Sequence, residues 1–211
     1  MKSSILIKKK DKFFVEDVCI ESIIEKFGTP TYIYSKQRIV DNFKNLESAF
    51  KNVDHLICFA VKANSNLAIL NLLAKNGAGF DIVSGGELRR VIAANGDPKK
   101  IVFSGVGKTS EEIKLAIENN ILAFNIESED ELIRIQEIAK SLNKKASISI
   151  RVNPDVNANT HPYISTGLKE NKFGVSEESA LILYKKAKKM DSILIKGIDC
   201  HIGSQITDLK P

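Results

Sequence analysis

The stretch that decides the fold is Leu56-Ile57-Cys58-Phe59-Ala60-Val61-Lys62-Ala63-Asn64. It opens with six apolar residues in a row, which is typical of a strand buried on both faces of a parallel sheet. A lysine follows directly, where the strand is expected to end. The stretch therefore predicts an α/β fold and makes Lys62 the first candidate for a functional residue.

Outward from this stretch, the chain alternates short β-rich runs with amphipathic helical patterns. The first four runs end at intervals of about 22 residues, which a strand of about five residues, a helix of about eleven and two short loops would fill. Several helices are predicted to begin at Ser or Thr followed by acidic residues, as at Thr109, Ser128 and Ser176. The six runs predict strands at residues 55–61, 79–84, 101–105, 123–127, 146–153 and 193–204.

Repeated βα units form a parallel sheet that either closes into a barrel or stays open. A doubly wound open sheet usually carries a glycine-rich turn after its first strand, and the segment 62–66 contains no glycine. The regular period favours a (β/α)8 TIM-type barrel with about six of its eight strands present. We therefore expect residues 31–211 to form an incomplete barrel. Residues 1–30 are expected to contribute a strand to a separate β domain whose remainder is missing, so the pattern predicts a truncated chain.

Composition excludes several classes of protein. The 211 residues are 43% hydrophobic and 27% charged, which is ordinary for a globular domain. The net charge of +5 comes mostly from lysine, whereas nucleic-acid sites favour arginine, so no nucleic-acid partner is expected. No apolar run approaches the length of about 20 residues that a membrane span needs, and no signal peptide is evident, so a cytoplasmic location is expected.

Three other features of the sequence identify no functional site: the cysteines, the histidines and one loop segment. The three cysteines (Cys19, Cys58 and Cys200) match no metal or disulfide spacing, and the three histidines are far apart, so no metal site is expected. The segment 107–109 resembles the end of a phosphate-binding loop but lacks the glycine five positions earlier, where Val102 stands. A helix cap at Thr109 explains this segment better.

Polar residues gather at the predicted strand ends, which meet at one mouth of a barrel. A lysine leaving a buried strand for a dry pocket would offer a neutral amine that can attack an aldehyde. Other interpretations stay open: a lysine that reaches solvent, a structural core histidine, or a buried ion pair of Asp81 with Arg151. The candidates are Lys62, Asp81, Arg151, His201, Gly203 and Ser204.

Residues 59–64 resemble the cofactor-lysine motif of the fold-type III pyridoxal-phosphate decarboxylases, relatives of alanine racemase. Further blocks narrow the resemblance to the diaminopimelate decarboxylase family, in family order from about residue 30 onwards. Ornithine and arginine decarboxylases resemble the lysine motif but differ over residues 153–174. The blocks lie at 79–88, 105–109, 125–128, 151–156, 160–161, 165–167, 172–174 and 201–205.

This resemblance implies a role for each candidate. Lys62 would hold pyridoxal 5′-phosphate covalently, and His201 would stack on its ring. Gly203 and Ser204 would hold the phosphate, while Asp81 and Arg151 would support the lysine and the cofactor. The site would be the cofactor-binding part of the barrel.

The resemblance also implies an activity and partners. The family decarboxylates the amino acid meso-diaminopimelate to L-lysine and carbon dioxide, in lysine biosynthesis, as a homodimer. The 211-residue chain alone is expected to be inactive, and residues 157–174 are expected to form a mobile loop over the mouth. Left open are an ornithine- or arginine-type decarboxylase, an amino-acid racemase and a barrel protein without a cofactor.

Overall fold

A computed structural model of the protein describes residues 5–154, 156, 173–203, 206 and 210. Within them lie a small antiparallel sheet near the N-terminus and a larger parallel sheet with helices between its strands. None of the helices in this described part has the length and apolarity needed to cross a membrane.

The N-terminal sheet consists of β1 (Leu6–Lys9), β2 (Lys12–Val15) and β3 (Val18–Cys19), paired antiparallel in chain order. Helix α1 (Ile20–Phe27) follows directly. The turns between the strands place Lys10 and Glu16 at φ of 55°, which lets each turn be very short. The prediction of one strand here was wrong, because these tight turns lack the glycine or proline that would have marked them in the sequence.

Helix α2 (Lys36–Ala49) begins at a cap that also contacts the N-terminal sheet. Ser35 Oγ accepts the backbone N–H of Arg38 and donates to Glu16 Oε1 at 2.7 Å. The backbone N–H of Gln37 donates to the same oxygen at 2.8 Å. The Ser35 hydrogen bond is the main reason that the pKa of Glu16 is lowered. One carboxylate thus joins the turn after β2 to the start of α2.

The larger sheet has six parallel strands in the order in which they occur in the chain. Within the described residues this order contains no reversal, whereas a doubly wound sheet has one at its switch point. The prediction of a parallel α/β sheet is confirmed. The strands are β4 (Cys58–Ala60), β5 (Gly79–Ile82), β6 (Ile101–Phe103), β7 (Ala123–Ile126), β8 (Ala146–Val152) and β9 (Ile193–Cys200).

Each of the six strands is shorter than its predicted run. Ser84 was expected at the end of the second strand run, and it turns out to be a helix N-cap whose hydroxyl accepts the backbone N–H of Glu87. In the first strand, residues 55–57 lie outside the ladder, which begins where Cys58 pairs with Gly79. Apolar residues continue beyond the paired residues of the strands, so hydropathy alone could not locate the strand ends.

Five helices connect the strands, and consecutive ones from α3 to α6 contact each other. Three begin with a side-chain cap at the predicted residue, namely Thr109, Ser128 and Ser176. Thr109 and Glu112 form a complete capping box, so the helix-cap interpretation of this segment is confirmed. The helices are α3 (Leu67–Lys75), α4 (Gly85–Ala93), α5 (Ser110–Glu118), α6 (Glu129–Ser141) and α7 (Glu177–Ala187).

The hydrophobic core lies between this sheet and its helices. Phe80, Phe103 and Phe124 are fully buried on neighbouring strands, and the rings of Phe103 and Phe124 stack with centroids 5.9 Å apart. Burying a side chain of this size stabilises the fold by about 2 to 3 kcal/mol. The core thus fixes the strands whose ends carry the polar residues.

Candidate active site

A cavity of about 560 Å³ opens at the carboxyl ends of the parallel strands. Every strand from β4 to β9, or the turn that follows it, contributes to its wall. Cationic, anionic and neutral polar side chains all face this cavity. The lining residues are Cys58, Lys62, Asp81, Val83, Val102, Ser104, Gly105, Asn125, Arg151, Phe173, Asp199 and His201.

Lys62 reaches this cavity from a short 3₁₀ turn, Val61–Ala63, that follows β4. Val61 is fully buried and anchors the turn, and the backbone N–H of Asn64 closes it by donating to Val61 O at 3.1 Å. Further along, Arg90 Nε of α4 donates to Ser65 O at 2.8 Å. The turn is therefore held on both sides of the lysine.

The expectation that Lys62 leaves a strand for a dry pocket was wrong for the described residues. Lys62 is an exposed residue, two positions past the last strand residue, Ala60. The physical reason is that β4 is an edge strand of the sheet, so in the described part of the chain no strand covers its outer side. The amine lies at the rim of the cavity, open to water.

Four polar side chains on adjacent strands form a continuous chain of hydrogen bonds, called here the polar ladder. Ser149 Oγ of β8 donates to Asn125 Oδ1 of β7. Asn125 Nδ2 donates to Ser104 Oγ at 3.0 Å, and Ser104 Oγ donates to Asp81 Oδ1 of β5 at 2.6 Å. Asn125 and Ser149 are buried, and Asp81 and Ser104 are half-buried. The polar ladder thus ends on a carboxylate at the cavity wall.

Arg151 is the centre of a second group of charges. Its Nη1 lies 3.0 Å from Glu127 Oε1, and its Nε lies 4.0 Å from Asp199 Oδ2. The other oxygen of Glu127, Oε2, accepts the backbone N–H of Gly174 at 3.1 Å, and the ring of Phe173 lies 5.2 Å from the guanidinium carbon. The ion pair of Arg151 with Asp81 considered from the sequence is not formed, because Glu127 and Asp199 take its place.

Burial shifts three titratable groups at the cavity. It raises the pKa of Asp199, which Arg151 opposes, and it lowers the pKa of His201, with repulsion from Arg151 and Lys62 adding to the effect. Burial, reinforced by the charge of Asp81, raises the pKa of Cys58 to about 11. The thiol therefore stays protonated at neutral pH and is a poor nucleophile.

A buried ion pair lies next to the polar ladder. Lys108 Nζ donates to Glu131 Oε1 at 2.6 Å, to Gly105 O at 2.6 Å and to Asn125 O at 2.8 Å. Glu131 Oε2 accepts the backbone N–H of Glu127 at 2.9 Å. All three protons of the ammonium are thus used, and the loop after β6 is fixed to β7 and α6.

The structure brings together four of the six sequence-predicted site residues: Lys62, Asp81, Arg151 and His201 all line the cavity. Gly203, at φ of 147°, follows His201 closely but is not among the described residues that line it. Ser204 and most of the predicted loop at 157–174 lie outside the described residues.

Sequence reasoning missed Ser104, Asn125 and Asp199. A signal was available, because Asn125 interrupts an otherwise apolar strand, Asp199 lies near the end of a mostly apolar one and Ser104 directly follows one. A polar residue at such a position needs a buried partner or a ligand.

The fold and this cavity agree with a comparison against known families. The chain belongs to the family described as "Pyridoxal-dependent decarboxylase, pyridoxal binding domain", whose model matches residues 36–211. The match covers more than half of the chain and includes every described residue that lines the cavity. The prediction of pyridoxal phosphate as the cofactor is confirmed by this assignment.

Among its relatives are curated diaminopimelate decarboxylases. The chain is 55% identical to that of Pseudomonas aeruginosa over 95% of its own length and 48% of the relative's. It is 56% identical to that of Haemophilus influenzae over 96% of its own length and 49% of the relative's. The resemblance to this family predicted from the sequence is confirmed, and the chain spans about half the length of the curated relatives it matches.

A solved structure shows the same likeness. The diaminopimelate decarboxylase of Helicobacter pylori, in a complex with L-lysine, superposes with a TM-score of 0.89 at 51% identity, over 91% of this chain and 49% of that one. The strand order and helix connections described above are thus shared with a crystal structure of that family.

The described side chains fit the cofactor of this family. A primary amine suits its aldehyde, the flat imidazole of His201 suits its ring, and Arg151 suits its negative charge. In the described part of the chain no group of three or more His, Cys, Asp or Glu side chains could hold a metal ion.

Proposed function

We propose that the full-length protein to which this chain belongs is a diaminopimelate decarboxylase, which converts meso-diaminopimelate to L-lysine and carbon dioxide. The observation that carries the proposal is that Lys62 and His201, far apart in the sequence, line one cavity at the strand ends of a pyridoxal-binding domain. The identity of about 55% to curated decarboxylases of this name supports the substrate.

Each site residue has a proposed role. The amine of Lys62 attaches the cofactor through its aldehyde, and the 3₁₀ turn together with Arg90 limits how far that amine can move. His201 packs against the ring, and its lowered pKa favours a neutral imidazole that does not repel a cationic substrate amine. Pyridoxal phosphate supplies an electron-withdrawing ring that accepts the electron pair left when carbon dioxide departs.

Four further residues complete the proposed binding site. Asp81 and Arg151 support the lysine and cofactor from the cavity wall, each held by partners of its own. Gly203 and Ser204 bind the phosphate through backbone or hydroxyl groups. The φ of 147° at Gly203 favours glycine and supports a close approach of the backbone to a ligand there.

We infer that the six-stranded sheet closes into a (β/α)8 barrel in the full-length protein. Support comes from β4 and β9, the two edges of the sheet, because β9 exposes Leu194, Ile195 and Ile198. Two more βα units would cover these side chains and remove both unpaired edges. The N-terminal sheet, residues 5–19, would then belong to a separate β domain within the proposed 1–30 unit.

The assembly and location follow the family. The proposal includes a homodimer, an amino-acid substrate and a cytoplasmic enzyme. The substrate is supported by the L-lysine complex of the Helicobacter pylori relative, since lysine is the proposed product.

Covalent labelling tests the attachment. Borohydride treatment of the full-length protein with pyridoxal phosphate should label Lys62, and Lys62→Ala should lose the label together with all decarboxylation. Lys114→Ala, on the exposed face of α5, is the matched control and should keep both. A wild-type protein left unlabelled at position 62 would refute the proposal.

Product analysis tests the substrate. With meso-diaminopimelate, the full-length protein loaded with pyridoxal phosphate and not treated with borohydride should release equal amounts of L-lysine and carbon dioxide. Release from ornithine or arginine instead, or inversion of an amino acid without carbon dioxide, would identify a different enzyme of this fold.

A further inference from the structure

The structure assigns a positioning function to the polar ladder: we propose that Ser149, Asn125 and Ser104 hold Asp81 as a fixed, ionised acceptor facing the cofactor site. This inference rests on the proposed function and names residues that support it without touching the reacting atoms. Its basis is the direction in which every hydrogen bond of the polar ladder runs.

The donors of the polar ladder all point towards Asp81. Each serine has one hydroxyl proton, and Ser104 spends its own on Asp81 Oδ1 because its oxygen already accepts from Asn125 Nδ2. Asn125 can present its nitrogen to Ser104 because Ser149 donates to the amide oxygen. Asp81 is therefore bound as an acceptor, the form that a carboxylate takes.

The opposite orientation of Asn125 would require the opposite charge state. The amide oxygen would then face Ser104, and the Ser104 hydroxyl would donate to it instead of to Asp81. Ser104 and Asp81 could then form a hydrogen bond only if Asp81 carried a proton. Asn125 is buried, and its backbone oxygen is held by Lys108 Nζ at 2.8 Å. The Lys108 contact fixes the backbone of Asn125, and the Ser149 hydroxyl donates to the amide oxygen, which is the orientation that suits the anion.

Other charges around the cavity act on the same carboxylate. Lys62 on the turn after β4, His201 after β9 and Arg151 on β8 are the basic groups, and each favours an anion when charged. Asp199 on β9, Glu127 after β7 and the thiol of Cys58 on β4 are the acidic ones. With Arg151 already paired to Glu127 and Asp199, the Ser104 hydrogen bond is the one directed contact to Asp81 in the described residues.

The experiment measures cofactor affinity in the full-length protein, by titrating pyridoxal phosphate into Ser104→Ala, Ser104→Thr and Ser149→Ala variants. Ser104→Ala should weaken binding about tenfold at neutral pH, the usual cost of a hydrogen bond to a charged group.

The other variants separate positioning from packing. Ser104→Thr keeps the hydroxyl and should restore the affinity. Ser149→Ala should show a smaller change in the same direction, since it frees Asn125 to turn without removing Ser104. Ser141→Ala is the matched control, because its hydroxyl bonds only Ile138 O on the outer surface of α6.

The inference is overturned if Ser104→Ala binds the cofactor like wild type, or if Ser104→Thr is as impaired as Ser104→Ala. Borohydride labelling of each variant distinguishes this failure from failure of the proposed function. If wild type is labelled at Lys62 and the variants bind the cofactor like wild type, only the role of the polar ladder is refuted. If wild type is not labelled, the proposed function is refuted as well.

Discussion

At the scale of single residues, the buried ammonium of Lys108 is the most tightly held charge near the cavity. It is 3% exposed, and its partner Glu131 is 6% exposed. Breaking such a pair by removing one partner leaves the other charge without compensation, which costs far more than the pair's net contribution to stability.

We therefore expect Lys108→Met to lower the free energy of unfolding by about 3 to 5 kcal/mol, measured by urea denaturation of the full-length protein. The double variant Lys108→Met with Glu131→Gln should recover part of this loss, because no charge is then left unpaired. Lys140→Met, at an exposed position of α6, should change stability little. If Lys108→Met lost as little stability as Lys140→Met, the assignment of a buried ion pair between Lys108 and Glu131 would be contradicted.

The lowered pKa of His201 makes the free energy of unfolding depend on pH. Burial, then repulsion from Arg151 and Lys62, lowers its pKa below the ordinary value of 6.5. As the pH falls through about 6.5, the unfolded chain takes up a proton that the folded chain does not, so unfolding becomes easier. Above that pH both states are neutral at this residue and the effect is absent. The ring is partly exposed, so solvent screening keeps the effect modest.

The thermal midpoint of His201→Asn should accordingly fall less than that of wild type between pH 7.5 and 5.5. His55→Asn, outside the cavity lining, is the matched control. Equal pH dependence of His201→Asn and wild type would show that the imidazole does not feel the buried environment.

The sequence revealed the charged members of the site better than the neutral ones. Lys62, Asp81, Arg151 and His201 could be named because ionisable residues at strand ends suggest chemistry. Asn125 was passed over because an amide inside a strand signals little until its partners on adjacent strands are known. The polar ladder depends on which strands are neighbours, and spacing alone does not give that.

At the scale of elements, one glutamate contacts two successive βα turns. Glu112 Oε2 accepts the backbone N–H of Thr109 at 3.0 Å, and its Oε1 accepts that of Gly85 at 2.7 Å. Burial alone would raise the pKa of Glu112, but these hydrogen bonds more than offset it, and the pKa is lowered. The start of α4 and the start of α5 are thus tied by one side chain.

Glu112→Gln should lower the free energy of unfolding by about 1 kcal/mol at pH 7, a value kept small because the side chain is partly exposed. A lowered acid pKa stabilises the fold above the ordinary value of 4.5 and loses that contribution as the pH falls through the lowered value. The difference from wild type should therefore shrink below about pH 4.5. Glu111→Gln on the same helix is the control, and a difference that does not change with pH would contradict the charge-based explanation.

Element type could be predicted well from the sequence, and element ends less well. Cap residues such as Thr109 and Ser176 act through their own backbone, so local sequence is enough to place them. The N-terminal sheet was mistaken for one strand, because its turns at Lys10 and Glu16 use positive φ without glycine. Lys62 was placed at a strand end because the limit of β4 is set by pairing with β5, a contact distant in sequence.

At the scale of the whole molecule, the parallel sheet ends in two edge strands, β4 and β9, each paired on one side only within the described residues. Ile198 of β9 is 67% exposed, and Leu194 and Ile195 on the same strand are also exposed. Apolar edges of this kind promote association between chains. The expectation that the 211-residue chain alone is inactive stays a prediction, and from this surface we further expect the chain to be poorly soluble.

Amide hydrogen exchange can compare the chain of residues 1–211 with the full-length protein. Amides of β4 and β9 should exchange fast in the shorter chain and slowly in the longer one, because barrel closure would pair both edges. Amides of β6 and β7, central in the sheet, provide the internal control and should be protected in both. Equal exchange of β9 in the two proteins would refute closure.

The strand order has a consequence for how the protein is made. Each strand pairs with the one synthesised just before it, and each helix from α4 to α6 contacts its predecessor. Contacts between segments close in sequence form quickly, and chains emerging from the ribosome fold their earlier parts first. The sheet can thus be assembled unit by unit during translation, so that nascent chains of increasing length gain protease resistance in steps of one βα unit.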